Sequence, residues 1–344
     1  MNLRRLFIFF VFICLLPIPN MYGQSIHFSQ YYNAPLLENP ANTALMSESD
    51  YRLGLNFRNQ WAAVPVPYNT FSGFTDFKVG GNRDNTKNNW LGIGFSVFND
   101  KAGDGNLSLL QIQGSLAYHL QLSEFTMISV GFSGAKVSRS VNYDMLIFDA
   151  QWDGATFDRT LPTGEKVGVV QTNYSTIGSG INFAWFPNEF VYIKLGGGVA
   201  NINQPTESFY AGTNKINYRP TGNLDMLFNL GPVVTLNPSI FYATQNAATE
   251  IIAGSLVRTN LSGEHDDKLT QLILGGYMRM GDAVIGVAGF QWGNVQFMAN
   301  YDFTISTLAP YNAAYGALEM SLIYTGIYGK SRDKVKKSLI CPRF

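Results

Sequence analysis

Between residues 51 and 328 the chain carries segments about ten residues long in which apolar side chains take every second position. No other feature constrains the fold as much. In Trp90 to Phe98, the residues Leu91, Ile93, Phe95 and Val97 share one face and Gly92, Gly94 and Ser96 the other. Ile181, Phe183 and Trp185 alternate with Gly180, Asn182 and Ala184. Val191, Ile193, Leu195 and Val199 alternate with Tyr192, Lys194, Gly196 and Gly198. Val295, Phe297, Ala299, Tyr301 and Phe303 alternate with Gln296, Met298, Asn300 and Asp302, and Leu318, Met320, Leu322 and Tyr324 with Glu319, Ser321 and Thr325. A period of two is the signature of strands, whose successive side chains point to opposite faces.

A soluble sandwich and a membrane barrel both show that period, so composition and segment length decide between them. Charged residues make up 14% of the chain, against about 25% in an ordinary soluble domain. Aromatics are plentiful, with 25 Phe, 18 Tyr and 5 Trp. No run of 18 apolar residues follows residue 23, so a membrane helix is not expected. In lipid only helices and closed barrels satisfy their backbone internally. Ten residues at about 3.3 Å each, tilted near 40°, cover an apolar band of roughly 25 Å. The expected fold is therefore all-β, a single transmembrane antiparallel barrel. Its segments lie near 51–59, 70–80, 90–99, 106–120, 125–137, 173–187, 190–201, 222–231, 234–244, 249–259, 270–280, 283–291, 295–304 and 315–328. An even number of strands puts both termini on one side, expected to be the periplasm. Short turns at 121–124, 188–189 and 292–294 suit that side, and the long connections 138–172 and 202–221 the outside. The short connection 281–282 and the longer 260–269 depart from this rule.

Residues 1–23 read as a signal peptide: Arg4 and Arg5, the apolar run Leu6 to Leu16, then Pro17 and Pro19 as breakers, and Gly23 before the cut. A lipoprotein cut at Cys14 is the weaker reading, because Ile13 precedes the cysteine where a small residue is wanted. Removing 1–23 takes away two cations and no acid, so 22 basic side chains face 24 acidic ones. That balance leaves no electrostatic footprint for nucleic acid. Cys341 then remains without an intrachain partner. Two segments stand outside the barrel wall at 51–329. Residues 24–50, broken by Pro35 and Asn39-Pro40, have two placements open to them, plugging the lumen or hanging below it. The tail 330–344 carries Lys330, Arg332, Lys334, Lys336, Lys337 and Arg343 against Asp333, a basic strip suited to an acidic periplasmic partner or simply to solvent.

Chemistry is sparse. His27, His119 and His265 have no Cys or His at metal-ligand spacing. No nucleophile elbow, zinc helix or phosphate loop occurs. A phospholipase built around His119 is the enzymatic reading, and a lumen or rim histidine the plainer one. Asp149 to Gly154 resembles the start of a calcium loop, but its twelfth position is Thr160 where a glutamate is needed, so a turn at Asp153-Gly154 is the simpler account. Glu264 to Asp267 reads as a solvated turn. The triplet Gly196 to Gly198 provides bend or packing room within a strand. No catalytic residue, metal or cofactor is expected.

Several stretches resemble one family in order along the chain. The start Ile26 to Pro35 with Asn39-Pro40-Ala41, then Asn56 to Trp61 leading to Pro67 to Thr70, resembles the opening of the PorP/SprF family of type IX secretion in the Bacteroidetes. Leu146 to Asp149, Phe157-Asp158 and Leu161 to Glu165 resemble its large loop. Leu236 to Ser239, Tyr301 to Phe303, Leu318 to Leu322 and the ending Cys341 to Phe344 complete the set. Ala62-Ala63 and Gly275-Gly276 depart from the pattern. The resemblance implies a non-enzymatic outer-membrane component of type IX secretion and gliding motility. Its partners would be lipid, the C-terminal signal domain of a secreted cargo or adhesin, and periplasmic ring proteins. The outer loop with Trp152, Phe157 and Asp158 is the expected grip on a folded partner. Lys330, Lys334, Lys336, Lys337 and Arg343 are expected at the ring, and Phe344 either there or as an assembly signal. A passive porin or hydrophobic-ligand barrel is the alternative, favoured by small inward positions such as Gly92, Gly94, Gly196 and Gly198.

Overall fold

The computed structural model describes residues 28–46, 48–60, 67–80, 89–165, 168–209, 212, 214–262, 269–307, 309–310 and 315–328. The expected signal peptide, His27, His265, Glu264 to Asp267 and the tail with Cys341 lie outside them.

Fourteen strands are present among the described residues. They are β1 (Tyr51–Gln60), β2 (Tyr68–Val79), β3 (Trp90–Ala102), β4 (Leu107–Ser123), β5 (Thr126–Asn142), β6 (Val169–Asn188), β7 (Val191–Ala200), β8 (Arg219–Asn229), β9 (Val234–Gln245), β10 (Ala248–Asn260), β11 (Thr270–Arg279), β12 (Ala283–Trp292), β13 (Val295–Thr304) and β14 (Tyr315–Gly326). Each pairs antiparallel with its sequence neighbour. β1 pairs β14, from Tyr51 opposite Gly326 to Gln60 opposite Ala317, so the sheet closes on itself. Closure removes every sheet edge, the condition for putting strands in lipid.

The alternation read from the sequence sorts the two faces. Leu53, Leu55, Phe57, Phe95, Ile112, Phe132, Ile181, Leu195 and Leu274 point outward and are exposed. In water an apolar surface running all round a molecule would be an aggregation liability; in a bilayer it is the solvent-matched face. Aromatics rim both edges of this band. Trp185, Phe190, Trp292 and Tyr324 lie near the end where β14 finishes, and Tyr68, Tyr242, Phe303 and Tyr315 near the other.

The two barrel mouths differ. The turn mouth, where β1 begins and β14 ends, has tight connections such as 124–125, 189–190 and 293–294. The loop mouth carries 143–168 and 201–218. Its rim is uneven: β5 and β6 run paired up to Asn142 opposite Val169, five and four residues beyond the segment ends read from the sequence. Above the apolar band their outward side chains become Lys136, Ser138, Asn173 and Ser175, so the apolar alternation that marks a lipid-facing strand stops before the strand does. β8 likewise begins at Arg219, paired with Ala200, and not at 222. The opposite rim is low, with the connections 246–247 and 280–282.

Candidate functional site

The lumen holds residues 28–46. They form a 3-10 turn at Tyr31–Asn33, a one-turn helix at Pro35–Glu38 and a second 3-10 turn at Pro40–Asn42. Pro35 and Pro40 sit at first helical positions, where their missing N–H is not needed. Nearly every side chain of the segment is buried.

The path runs from one mouth to the other. At the loop mouth Phe28 packs on Phe98, Leu109 and Val137. Ser29 and Gln30 then meet a cage of buried charge. Their backbone N–H groups donate to the two carboxylate oxygens of Glu319, at 2.7 and 2.9 Å, and Ser29 Oγ donates to Asp302 Oδ2 at 2.6 Å. Arg58 pairs with Glu319 and Asp302, and Arg279 with Asp302 (3.1 Å), Glu250 (3.2 Å) and Asp282 (2.9 Å). Charges taken out of water must be paired and hydrogen-bonded, so removing any member leaves an uncompensated charge. Mid-lumen, Tyr31 stacks on Phe241 and donates to Ser239 Oγ at 2.7 Å, Asn56 Nδ2 donates to Asn33 O, and Leu36 packs between Phe74 and Ile323.

The second half lies in a trough of small residues. Successive strands place Gly92 beside Ala117, Ala117 beside Gly131, Gly131 beside Gly180, Gly180 beside Gly198 and Gly198 beside Thr221. A Cβ on Gly92 would stand 2.2 Å from Thr43 O, one on Gly131 2.4 Å from Pro40 O and Ala41 N, and one on Gly180 1.9 Å from Asn39 Oδ1. The small inward positions that favoured an open pore in the sequence therefore serve the opposite end: they admit a polypeptide. Gly196 belongs to a different contact, since a Cβ there would meet Asn182 and Asn223.

Polar groups pin the segment above the trough. Asn39 Nδ2 donates to Asn182 Oδ1 at 3.0 Å and Gly197 O at 3.2 Å. His119 Nε2 lies 2.8 Å from Thr43 O and Nδ1 2.7 Å from Ser129 Oγ. A carbonyl can only accept, so Nε2 carries the proton and Nδ1 accepts from the serine. Trp90 stacks on the same imidazole and donates to Ala44 O at 2.9 Å. His119 is thus a fully engaged lumen residue. At the turn mouth Leu45 packs with Trp90, Met127, Ala184, Phe186, Tyr192 and Leu227.

The loop 143–168 caps the tall wall. Its hub is Gln151, buried, which accepts from Phe148 N–H and donates to Leu161 O at 3.2 Å. Trp152 and Phe157 form an isolated bridge, with rings edge to face at 5.0 Å, and stand 49% and 50% exposed. Asp153 closes the turn between them: its Oδ1 accepts from Ala155 N–H and Thr156 N–H, both at 2.7 Å, and Gly154 takes φ +102°. Those N–H groups, Thr156 first, hold the Asp153 carboxyl below the usual carboxylate range. Asp158 is lowered too, by the Thr160 hydroxyl and N–H, which it caps. Arg139 ties the tower to Glu207 of the neighbouring loop at 3.1 Å. Of the expected partner-binding residues, Trp152 and Phe157 are thus side by side and Asp158 faces its own turn. Lys330, Lys334, Lys336, Lys337, Arg343 and Phe344 lie outside the described residues. Sequence reasoning missed Gln151, Glu319, Arg58 and Arg279. The two arginines and the glutamate were visible as charges on strand segments, a costly placement in a membrane protein.

The model of the family described as type IX secretion system membrane protein PorP/SprF matches residues 20–324. The chain belongs to that family. This PorP/SprF member has an outer-membrane β-barrel fold that solved structures share. It is similar to the Ralstonia pickettii toluene transporter TbuX, with 11% identity and a TM-score of 0.53 over 86% of this chain and 94% of that one. It is also similar to a TodX deltaS2S3 mutant monoaromatic hydrocarbon channel, with 8% identity and a TM-score of 0.50 over 85% and 92%. At such identity the likeness is one of fold. No curated protein matched the sequence.

Proposed function

We propose that the protein is a closed, non-catalytic platform of type IX secretion, which holds the C-terminal domain of a secreted cargo or adhesin at the cell surface through its loop mouth. The observation that carries this reading is the combination of a lumen occupied from end to end with an exposed aromatic pair on a braced loop. A barrel whose bore holds its own chain is poorly suited to passing solute, whereas Trp152 and Phe157 offer rigid apolar area of the kind that dominates protein interfaces. The loop 143–168 adds Asp144, Asp149, Asp153, Asp158 and Glu165 against Arg159 and Lys166, which favours a partner with basic side chains around an apolar patch. By the usual asymmetry of bacterial barrels the loop mouth faces outward and the turn mouth the periplasm. The basic side chains of 330–344, which follow β14 in the sequence, are the proposed contact with the ring proteins.

The test is a crosslinked pull-down of the tagged protein from outer membranes of its own host, comparing wild type with Trp152→Ala/Phe157→Ala. Recovery of a large secreted protein with its C-terminal domain, lost in the double variant at equal barrel levels, supports the reading. Recovery of the barrel alone, together with unitary currents in a planar bilayer, would favour the alternative of a porin or hydrophobic-ligand channel, to which the fold likeness to TbuX points.

A further inference from the structure

The tall wall at the loop mouth has one open flank. β5 is covered on its far side almost to its end: it pairs with β4 up to Ser140 opposite Ser108, and Asn142 N–H donates to Gly105 O at 2.8 Å. β6 differs. It pairs with β5 from Trp185 up to Val169, but its pairing with β7 stops at Ser179 opposite Val199. β7 ends at Ala200, and Asn201, with φ +59°, turns the chain away. The upper part of β6, residues 169–178, therefore stands on β5 with no strand on its other side.

The rungs just above β7 are closed by the loop that follows it. Ile177 N–H donates to Asn203 Oδ1 at 3.2 Å, Ile202 N–H donates to Ile177 O at 3.0 Å, and Asn203 Nδ2 donates to Ser175 O at 2.9 Å. In an antiparallel ladder both backbone groups of every second residue point to the same side. Ile177 and Ser175 thus fix the sense, and Asn173, Gln171 and Val169 also direct N–H and C=O away from β5. Among the described residues nothing bonds these groups. Gln171 and Asn173 are exposed, and Val169 is 64% exposed. The position lies above the apolar band, in water, where open backbone groups are tolerated. Native edges are commonly guarded by proline, charge or a bulge. The run Val169 to Tyr174 has no proline and no charge, and pairs in unbroken register with Asn142 to Val137.

We propose that this edge receives an extended strand of the secreted partner, added to the barrel sheet beside β6. Three rungs about 6.6 Å apart span roughly 13 Å and match a segment of about five residues. N–H and C=O groups alternating along a line fit an extended chain and not a helix. Asp144 accepts from Gly168 N–H at 2.9 Å, which puts a carboxylate at the head of the edge, so a strand flanked by a basic side chain is favoured. The edge runs directly into the loop that carries Trp152 and Phe157, so strand and aromatic pair share one docking face. The inference rests on the platform reading and supplies its mode of grip, main-chain hydrogen bonds beside an aromatic anchor.

The test compares Gln171→Pro/Asn173→Pro with Gln171→Ala/Asn173→Ala by crosslinked pull-down from outer membranes of the native host, reading the C-terminal domain of the secreted protein. Proline removes an N–H that β5 does not use and fills the rung with its ring, while alanine keeps the N–H. The expected result is a loss of roughly tenfold or more with the prolines and wild-type recovery with the alanines. Full recovery with the prolines, or an equal loss with both pairs, overturns the inference. So does a benzophenone amino acid at Asn173 that crosslinks only to a second copy of this chain. If Trp152→Ala/Phe157→Ala loses the domain while the prolines keep it, the platform reading stands and strand addition alone falls. If the wild type recovers no secreted domain, both fall. Heat-modifiable migration on gels confirms that each barrel is folded, and if the double proline lowers the folded fraction, Gln171→Pro is read against Gln171→Ala with the same outcomes.

Discussion

Replacing Gly131 with leucine tests whether the inward glycines exist to seat the lumen segment. A Cβ at this position would lie 2.4 Å from Ala41 N and from Pro40 C and O, all backbone atoms. Ordinary contact is about 3.5 Å, so Pro40–Ala41 must retreat by about 1 Å. Ala41 is fully buried and Gly180, beside Gly131, already touches Asn39, so little free space is at hand. Overpacking of this kind costs about 1–3 kcal/mol. Displacing Asn39–Thr43 also strains the bonds of Asn39 to Asn182 and of Thr43 to His119, each contributing about 1 kcal/mol. A total near 3 kcal/mol shifts the docked population roughly 100-fold. The readout is the maleimide labelling rate of Thr43→Cys, a buried position of similar volume, in a Cys341→Ser background in detergent. The expected change is a rise of about two orders of magnitude with Gly131→Leu, the barrel itself staying folded. An unchanged rate in a folded barrel would refute the seating role of the trough.

The charge cage gives a second prediction. Glu319→Ala removes the acceptor of two buried N–H groups and the partner of Arg58, so the thermal midpoint should fall by an amount matching about 3–5 kcal/mol, with Glu319→Gln milder. Equal midpoints for all three proteins would show that the cage does not hold the segment. The third concerns pH at the loop. Because the folded Asp153 carboxyl is held below its ordinary value of about 3.9, its contribution is full above that pH and is lost as pH falls through the lower folded pKa. The emission of Trp152, taken as wild type minus Trp152→Phe, should hold constant from pH 7 to about pH 4 and move only below it; a transition centred at pH 5 or higher contradicts this. Fourth, deleting 330–344 should lower co-purification of ring proteins while the barrel still inserts. Loss of insertion instead would assign the tail, through Phe344, to barrel assembly.

Period-two alternation with an apolar outer face was enough to place all fourteen strands, because lipid imposes one chemistry on every second residue of every strand. It fell short above the band, at Ser138 to Asn142 and Val169 to Thr172, where the outward face meets water and Ser138, Ser140 and Gln171 hide the strand. The inner face was legible only as small or polar. Glycine at 92, 131, 180 and 198 fits an open bore as well as a packed one, and only the register, which lines these residues up across strands, distinguishes the two. Asn39-Pro40-Ala41 marked a break without saying against which wall it rests. At the loop, aromatic content pointed to Trp152 and Phe157, but nothing local marks Gln151, whose partners lie at Phe148 and Leu161.

Site-specific photo-crosslinking in the native host tests the central reading most directly. A benzophenone amino acid is placed at Trp152, and at Phe132 on the lipid face as the control. The expected result is a large adduct from position 152 containing the C-terminal domain of a secreted protein, with none from position 132. An outer membrane in which the secreted proteins are present and delivered, yet position 152 yields no protein adduct, would contradict a partner held at the loop mouth.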